Sequence, residues 1–214
     1  MKPIAKLYML IIIFSIIFDI FISHIPKVIA EDNDWLSVGN LLKQQGNYTG
    51  AIAAYTKALE IDPKDKQGWV NKGDALNLVG NYTGAIAAYT KALEIDPNYV
   101  NAWDGKGWAL NELGNYTQAI SYFNKALGID PNYKWSLSNK GWALNELGNY
   151  TQAIFYLNKV LEMDSKHVDA LIFKGQSLYG LGNHTGAKYY FDSAFELDPS
   201  NKLLKRIYNN STKE

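Results

Sequence analysis

No cysteine occurs in the chain's 214 residues. Disulfides, thiolate metal sites and cysteine nucleophiles are excluded together. Histidine is almost as scarce: His24, His167 and His184 leave little material for a zinc site or a catalytic triad. An excess of one charge is missing too, because 21 basic side chains balance 21 acidic ones. A nucleic-acid partner is therefore not expected, since sequence-independent binding needs a basic surface that displaces counterions. With 47% apolar and 20% charged residues, the chain is neither disordered nor wholly membrane-embedded.

The longest apolar run lies at the start. Lys2 and Lys6 precede Leu7 to Phe18, in which only Ser15 and the Tyr8 hydroxyl are polar. Asp19 interrupts, Ile20 to Ile22 resume, and Val28-Ile29-Ala30 leads into the acidic Glu31-Asp32. A basic start, an apolar middle and a small residue at the end make residues 1–30 read as a secretory signal, with cleavage after Ala30. The run falls short of the ~20 apolar residues of a bilayer span. An uncleaved anchor with Asp19 near the interface stays open, and so does a buried soluble helix, although no amphipathic face is visible. Signal and anchor alike place the rest of the chain outside the cytoplasm, extracellular or in the cell envelope, in contact with a membrane only through residues 1–30 if these are retained. Taking away Lys2, Lys6, Lys27 and Asp19 leaves 18 basic and 20 acidic side chains. Without disulfides, that remainder relies on its core alone.

What is abundant is repetition. Gly46-Asn47-Tyr48-Thr49 returns at Gly80, Gly114 and Gly148, and once more as Gly182-Asn183-His184-Thr185, always after 34 residues. Five units follow, at about 32–65, 66–99, 100–133, 134–167 and 168–201. Residues 46–63 and 80–97 are identical, as are 106–120 and 140–154. Each unit reads as helix–turn–helix. Trp103, Gly107 and Leu110 have helical spacing in the first helix; a Gly-Asn pair ends it, with Gly as the stop and Asn as the next N-cap. In the second helix Ala51, Tyr55, Ala58 and Leu59 share a face. Asp62-Pro63, Asp96-Pro97, Asp130-Pro131 and Asp198-Pro199 close the units, because the residue before proline avoids the α region. Asp164-Ser165 lacks the proline, so that turn is predicted to be the least firmly set. Gly39, Gly73, Gly107, Gly141 and Gly175 sit mid-helix, where each costs ~1 kcal/mol relative to alanine. The compensation expected is close approach to Ala51, Ala85, Ala119, Ala153 and Ala187 on the second helices.

Period and signature together resemble the tetratricopeptide repeat. Unit three carries Trp103, Gly107, Leu110, Ala119, Phe123, Ala126 and Pro131; unit one carries Trp35, Gly39, Leu42, Ala51, Tyr55, Ala58 and Pro63. Unit four departs at Leu137, Leu157, Val160 and Ser165, and unit five has Leu171 in place of tryptophan. The resemblance implies an all-α fold, a right-handed superhelical solenoid of helix–turn–helix repeats. Lys202 to Tyr208 is expected to cap the last hairpin, with Asn209 to Glu214 frayed.

The resemblance also implies a non-catalytic scaffold whose first helices line a concave groove for a protein or peptide. Its groove positions fall on Asn40, Asp74, Trp108, Trp142 and Gln176 in one row, and on Asn77, Asn111, Asn145 and Tyr179 in a second. Asp104 and Ser138 lie between them. Tryptophan and asparagine offer an apolar platform with amides that donate and accept; alternatively Trp108 and Trp142 only pack between repeats. Some family members clamp an acidic chaperone tail with cations. Here Leu36 and Gly105 occupy clamp positions, so a carboxylate-tail chaperone is not expected.

Each of the five turns is also an Asn-x-Thr acceptor for N-linked sugar in an exported chain: Asn47, Asn81, Asn115, Asn149 and Asn183, joined by Asn209 and Asn210 near the end. An acidic residue in the threonine position would gain ~0.3–1 kcal/mol from the helix dipole, yet all five units forgo it. No phosphate loop, acidic dyad or histidine cluster appears, and no metal or cofactor is expected. His167, near a turn, and His184, at a tyrosine position, read as surface or packing residues. An enzyme is not expected; a cell-surface glycoprotein without a dedicated groove ligand is the alternative to the scaffold.

Overall fold

The computed structural model describes residues 34–201 together with 204 and 205. The leader at 1–30, Asn209, Asn210 and most of the C-terminal cap lie outside the described residues. Within them the chain is all-α, with ten helices and no strand: α1 Trp35–Gln44, α2 Tyr48–Ile61, α3 Lys66–Leu78, α4 Tyr82–Ile95, α5 Val100–Glu112, α6 Tyr116–Ile129, α7 Lys134–Glu146, α8 Tyr150–Met163, α9 Val168–Gly180 and α10 His184–Leu197.

The turn inside each hairpin follows from the Gly-Asn pair. Gly114 has φ +75°, a left-handed conformation that a Cβ disfavours. Its N–H donates to Asn111 O and the Asn115 N–H to Leu110 O, both at 2.9 Å. This crossed pair of bonds satisfies carbonyls that the helix end would leave open. The asparagine then starts the second helix: Asn47, Asn81 and Asn183 accept from the N–H three residues on at 2.9–3.0 Å. Asn115 does so at 3.4 Å. Asn149 makes no side-chain cap bond, so the expected cap is missing in the fourth unit.

The turns between hairpins are made by aspartate. Asp130 Oδ1 accepts from Asn132 N at 3.0 Å, and Tyr133 N donates to Asp130 O at 3.2 Å. Asp164 repeats this with Lys166 N at 3.2 Å and His167 N at 3.1 Å. The weak turn predicted at Asp164-Ser165 carries the same two bonds as the others, because the aspartate's carboxylate and main-chain carbonyl accept them and the proline takes no part.

The chain divides into two compact units, one up to Pro63 and one from Lys64. The first holds hairpin α1/α2. Tyr55 is buried there, and its hydroxyl donates to Asn40 Oδ1 at 2.8 Å. The second unit holds the other four hairpins, each packed on the next. Its first helices α3, α5, α7 and α9 also touch one another in succession, while no pair of second helices makes comparable contact. The first helices thus form the tighter layer, and in a curved stack the tighter layer is the inner one. Small alanines such as Ala85, Ala102, Ala109, Ala119 and Ala143 are fully buried between the layers.

The mid-helix glycines do not simply face alanine. A Cβ on Gly107 would come within 2.5 Å of the Phe123 ring, and one on Gly73 within 2.6 Å of the Tyr89 ring. The space that glycine leaves is filled by the large residue sixteen positions later, which corrects the expected glycine–alanine pairing. Between repeats, the Tyr82 hydroxyl reaches Glu112 at 3.3 Å and Tyr116 reaches Glu146 at 3.5 Å.

Candidate functional site

The eleven groove candidates separate by burial. Asn40 belongs to the first unit, half-buried and holding the Tyr55 hydroxyl. In the second unit Asp74, Trp108, Trp142 and Gln176 stand on α3, α5, α7 and α9, one per repeat at the same register, and all are half-buried. Trp108 meets Tyr82 edge-on at 6.1 Å, and Trp142 stacks on Phe173 at 6.0 Å. Both rings therefore join neighbouring repeats while keeping part of their surface open. Tyr179 is 55% exposed and packs edge-on against His184 at 4.7 Å. His167 caps α9 through Nδ1, which accepts from Ala170 N at 3.3 Å, and it meets Trp135 edge-on at 5.6 Å.

Asn77, Asn111, Asn145 and Ser138 are buried, and the asparagine row is largely committed to the scaffold. Asn111 Nδ2 donates to Asn139 O at 3.1 Å, and Asn145 Nδ2 to Phe173 O at 2.7 Å. Asn145 is completed by Ser177, whose hydroxyl donates to Asn145 Oδ1 at 2.6 Å. The residues in the Ser177 position of the other repeats are Leu41, Ala75, Ala109 and Ala143, which donate nothing. Among the described residues, Asn77 Oδ1, Asn111 Oδ1, Ser138 Oγ and Gln176 Oε1 are buried without a hydrogen-bond partner. All four atoms belong to groove candidates on the inner layer.

Two acidic networks share this layer. Buried Tyr89 donates to Asp74 Oδ1 at 2.9 Å and accepts from Asn77 Nδ2 at 2.8 Å. Burial, followed by the Asp74 carboxylate, holds the Tyr89 hydroxyl well above the usual tyrosine range. On α5, Asp104 Oδ1 accepts from Ser136 Oγ at 2.7 Å and from Asn139 Nδ2 at 3.3 Å. Burial pushes its carboxyl up to about 6; the Asp74 charge adds to this, and the two hydrogen bonds oppose it. Tyr133, whose hydroxyl donates to Asn101 Oδ1 at 2.9 Å, is raised by burial and then by Asp104 and Asp74. Ser136 and Asn139 were not anticipated as parts of this site. The signal was present in the register: the Ser136 position is Gly68, Ala102 and Ala170 in the neighbouring repeats, so a hydroxyl there is a departure.

Three family models described as tetratricopeptide repeat match residues 38–100 and 80–134, 110–172, and 168–201. The chain belongs to the tetratricopeptide-repeat family. Members of this family generally mediate protein–protein interactions, and their fold supplies no chemistry of its own. No curated protein matches the sequence. Among solved structures, the chain is similar to TTC0263, a thermophilic tetratricopeptide-repeat protein of Thermus thermophilus, at 19% identity and TM-score 0.72, covering 85% of this chain and 98% of that one. It is similar to PilW, a type IV pilus biogenesis factor, at 24% identity and TM-score 0.72, covering 79% of each chain. YrrB, a tetratricopeptide-repeat protein with an unusual peptide-binding site, matches at 24% identity and TM-score 0.60, covering 86% and 96%. At these identities the likeness concerns the fold. No trio of histidine or acidic side chains among the described residues could hold a metal ion, and no described helix is long and apolar enough to cross a membrane.

Proposed function

We propose that this protein is a non-catalytic scaffold that binds a peptide or partner protein along the inner layer of α3, α5, α7 and α9. The observation that carries the reading is the row Asp74, Trp108, Trp142 and Gln176: one partly open side chain per repeat, at one register, on the tighter layer. Such a row offers an extended chain a polar or aromatic contact at each repeat. The test is a random peptide library panned against the full chain. Peptides are expected to bind, and Gln176→Ala is expected to weaken them at unchanged melting temperature. A library without binders would leave the surface-glycoprotein alternative.

We further infer export, with residues 1–30 as leader or anchor, and sugar at the Asn-Tyr-Thr turns. Asn47, Asn81, Asn115, Asn149 and Asn183 are exposed, and so are the threonines two residues on. In each turn the asparagine begins a helix, and Tyr82 and Tyr116 reach the next repeat. The threonine hydroxyls of these turns make no hydrogen bond among the described residues. A glycan acceptor is what requires them. Mass spectrometry of the protein from its source is expected to show hexose on these peptides; their absence would end the idea. N-terminal sequencing of the same material distinguishes a cleaved leader from an anchor.

A further inference from the structure

The inner layer of the second unit is short of positive charge for a structural reason. Its lysines are directed elsewhere. Lys66, at the start of α3, pairs with Asp96 at 2.5 Å, and Lys134, at the start of α7, pairs with Asp164 at 3.3 Å; both aspartates lie in turns between hairpins. Lys106, Lys140 and Lys174 lie over Tyr122, Tyr156 and Tyr190 on the second helix of their own hairpins, at 3.9–4.7 Å from the ring centroids. Lys72 lies over Trp69 at 5.4 Å. Asp104 makes no ion pair among the described residues; its carboxylate has only the neutral donors Ser136 and Asn139. Asp74 stands close enough for its charge to raise Asp104 further.

The polar atoms around this pair are acceptors awaiting donors. Tyr89 gives its single proton to Asp74, so Asn77 must turn its N–H side to Tyr89. Asn77 Oδ1, on a side chain only 8% exposed, is then left without a donor. Asn111 is fixed in the same way: Nδ2 holds Asn139 O, and Oδ1 is left over on a residue 1% exposed. A buried acceptor without a donor carries its full desolvation penalty, and a desolvated carboxylate beside a second one does the same. A ligand bearing cationic N–H groups relieves both.

We propose that the inner face of α3, α5 and α7 binds a cationic, extended segment of a partner protein, seating a lysine or arginine side chain against Asp104 and Asp74 and donating hydrogen bonds to Asn77 Oδ1 and Asn111 Oδ1. This rests on the groove reading above and adds the partner's chemistry. The peptide library panned on the full chain separates the two. Selected peptides are expected to be enriched in lysine and arginine, and Asp104→Asn is expected to weaken them at least roughly tenfold without lowering the melting temperature. Glu94→Gln, which removes an exposed charge paired with Lys91 on α4, is expected to leave binding unchanged and so controls for general surface attraction. Binders without a basic bias, or basic binders indifferent to Asp104→Asn, would overturn the proposal while leaving the groove. A library without binders would overturn both.

Discussion

A carboxylate held against Ser136, Asn139 and a second carboxylate loses hydration that two neutral donors replace only in part. The charges and titratable groups around Asp104 are Asp74 on α3, Tyr89 on α4 and Tyr133 in the turn before α7. Its folded value of about 6 lies above the ordinary 3.8, so the folded state binds the proton more tightly than the unfolded one. The stability this proton contributes is full below pH ~4 and lost as the pH climbs through about 6. Asp104→Asn keeps the shape and can accept both hydrogen bonds. It is expected to raise stability by on the order of 1–3 kcal/mol at pH 7–8 and to change little at pH 4, read by thermal melts at the two pH values. A neutral-pH loss would mean that the charged form is favoured by the fold. Gly107 is the opposite case, a residue retained for the space it leaves. Gly107→Leu drives a side chain into the Phe123 ring and is expected to destabilise by ~1–3 kcal/mol or more. A melt without loss would show that the ring can move aside.

At the scale of the element, the helices end where their residues say they should. Glycine followed by asparagine within hairpins and aspartate between them marked every boundary in the described chain, because both signals act through backbone bonds made within a few residues. Local chemistry of this kind is legible without tertiary information. The misreading at Asp164-Ser165 came from weighing proline above aspartate: proline only restricts the chain, whereas the carboxylate forms the bond to Lys166 N. The same turn accepts proline at Pro63, Pro97, Pro131 and Pro199, so Ser165→Pro should fit without strain and narrow the unfolded ensemble. It is expected to stabilise by about 0.4–1 kcal/mol, measured as a rise in the denaturant midpoint at constant slope. Gly114→Ala, which places a Cβ at φ +75°, is expected to cost about 1–2 kcal/mol.

For the whole molecule, what repeats was legible and what differs between repeats was not. The 34-residue period and its signature sufficed for the fold class. They could not say that equivalent asparagines differ in state. Asn145 is satisfied because Ser177 donates to it, while the residue at the matching register for Asn111 is Ala143, which has no donor, and Asn111 Oδ1 is left without one. Residues 32 positions apart meet only once neighbouring repeats pack. The second unit also carries a prediction about how stability spreads. In a stack each hairpin contacts chiefly its neighbours, so a defect at one end should weaken that end first. Leu204 is fully buried with Leu171, Ile172 and Phe191 at the last hairpin. Leu204→Ala is expected to cost ~2–5 kcal/mol there. Hydrogen exchange should then accelerate most in α9 and α10 and least in α3 and α4. An equal acceleration from α3 to α10 would mean that the four hairpins open together, because the contacts between them are then stronger than the local defect.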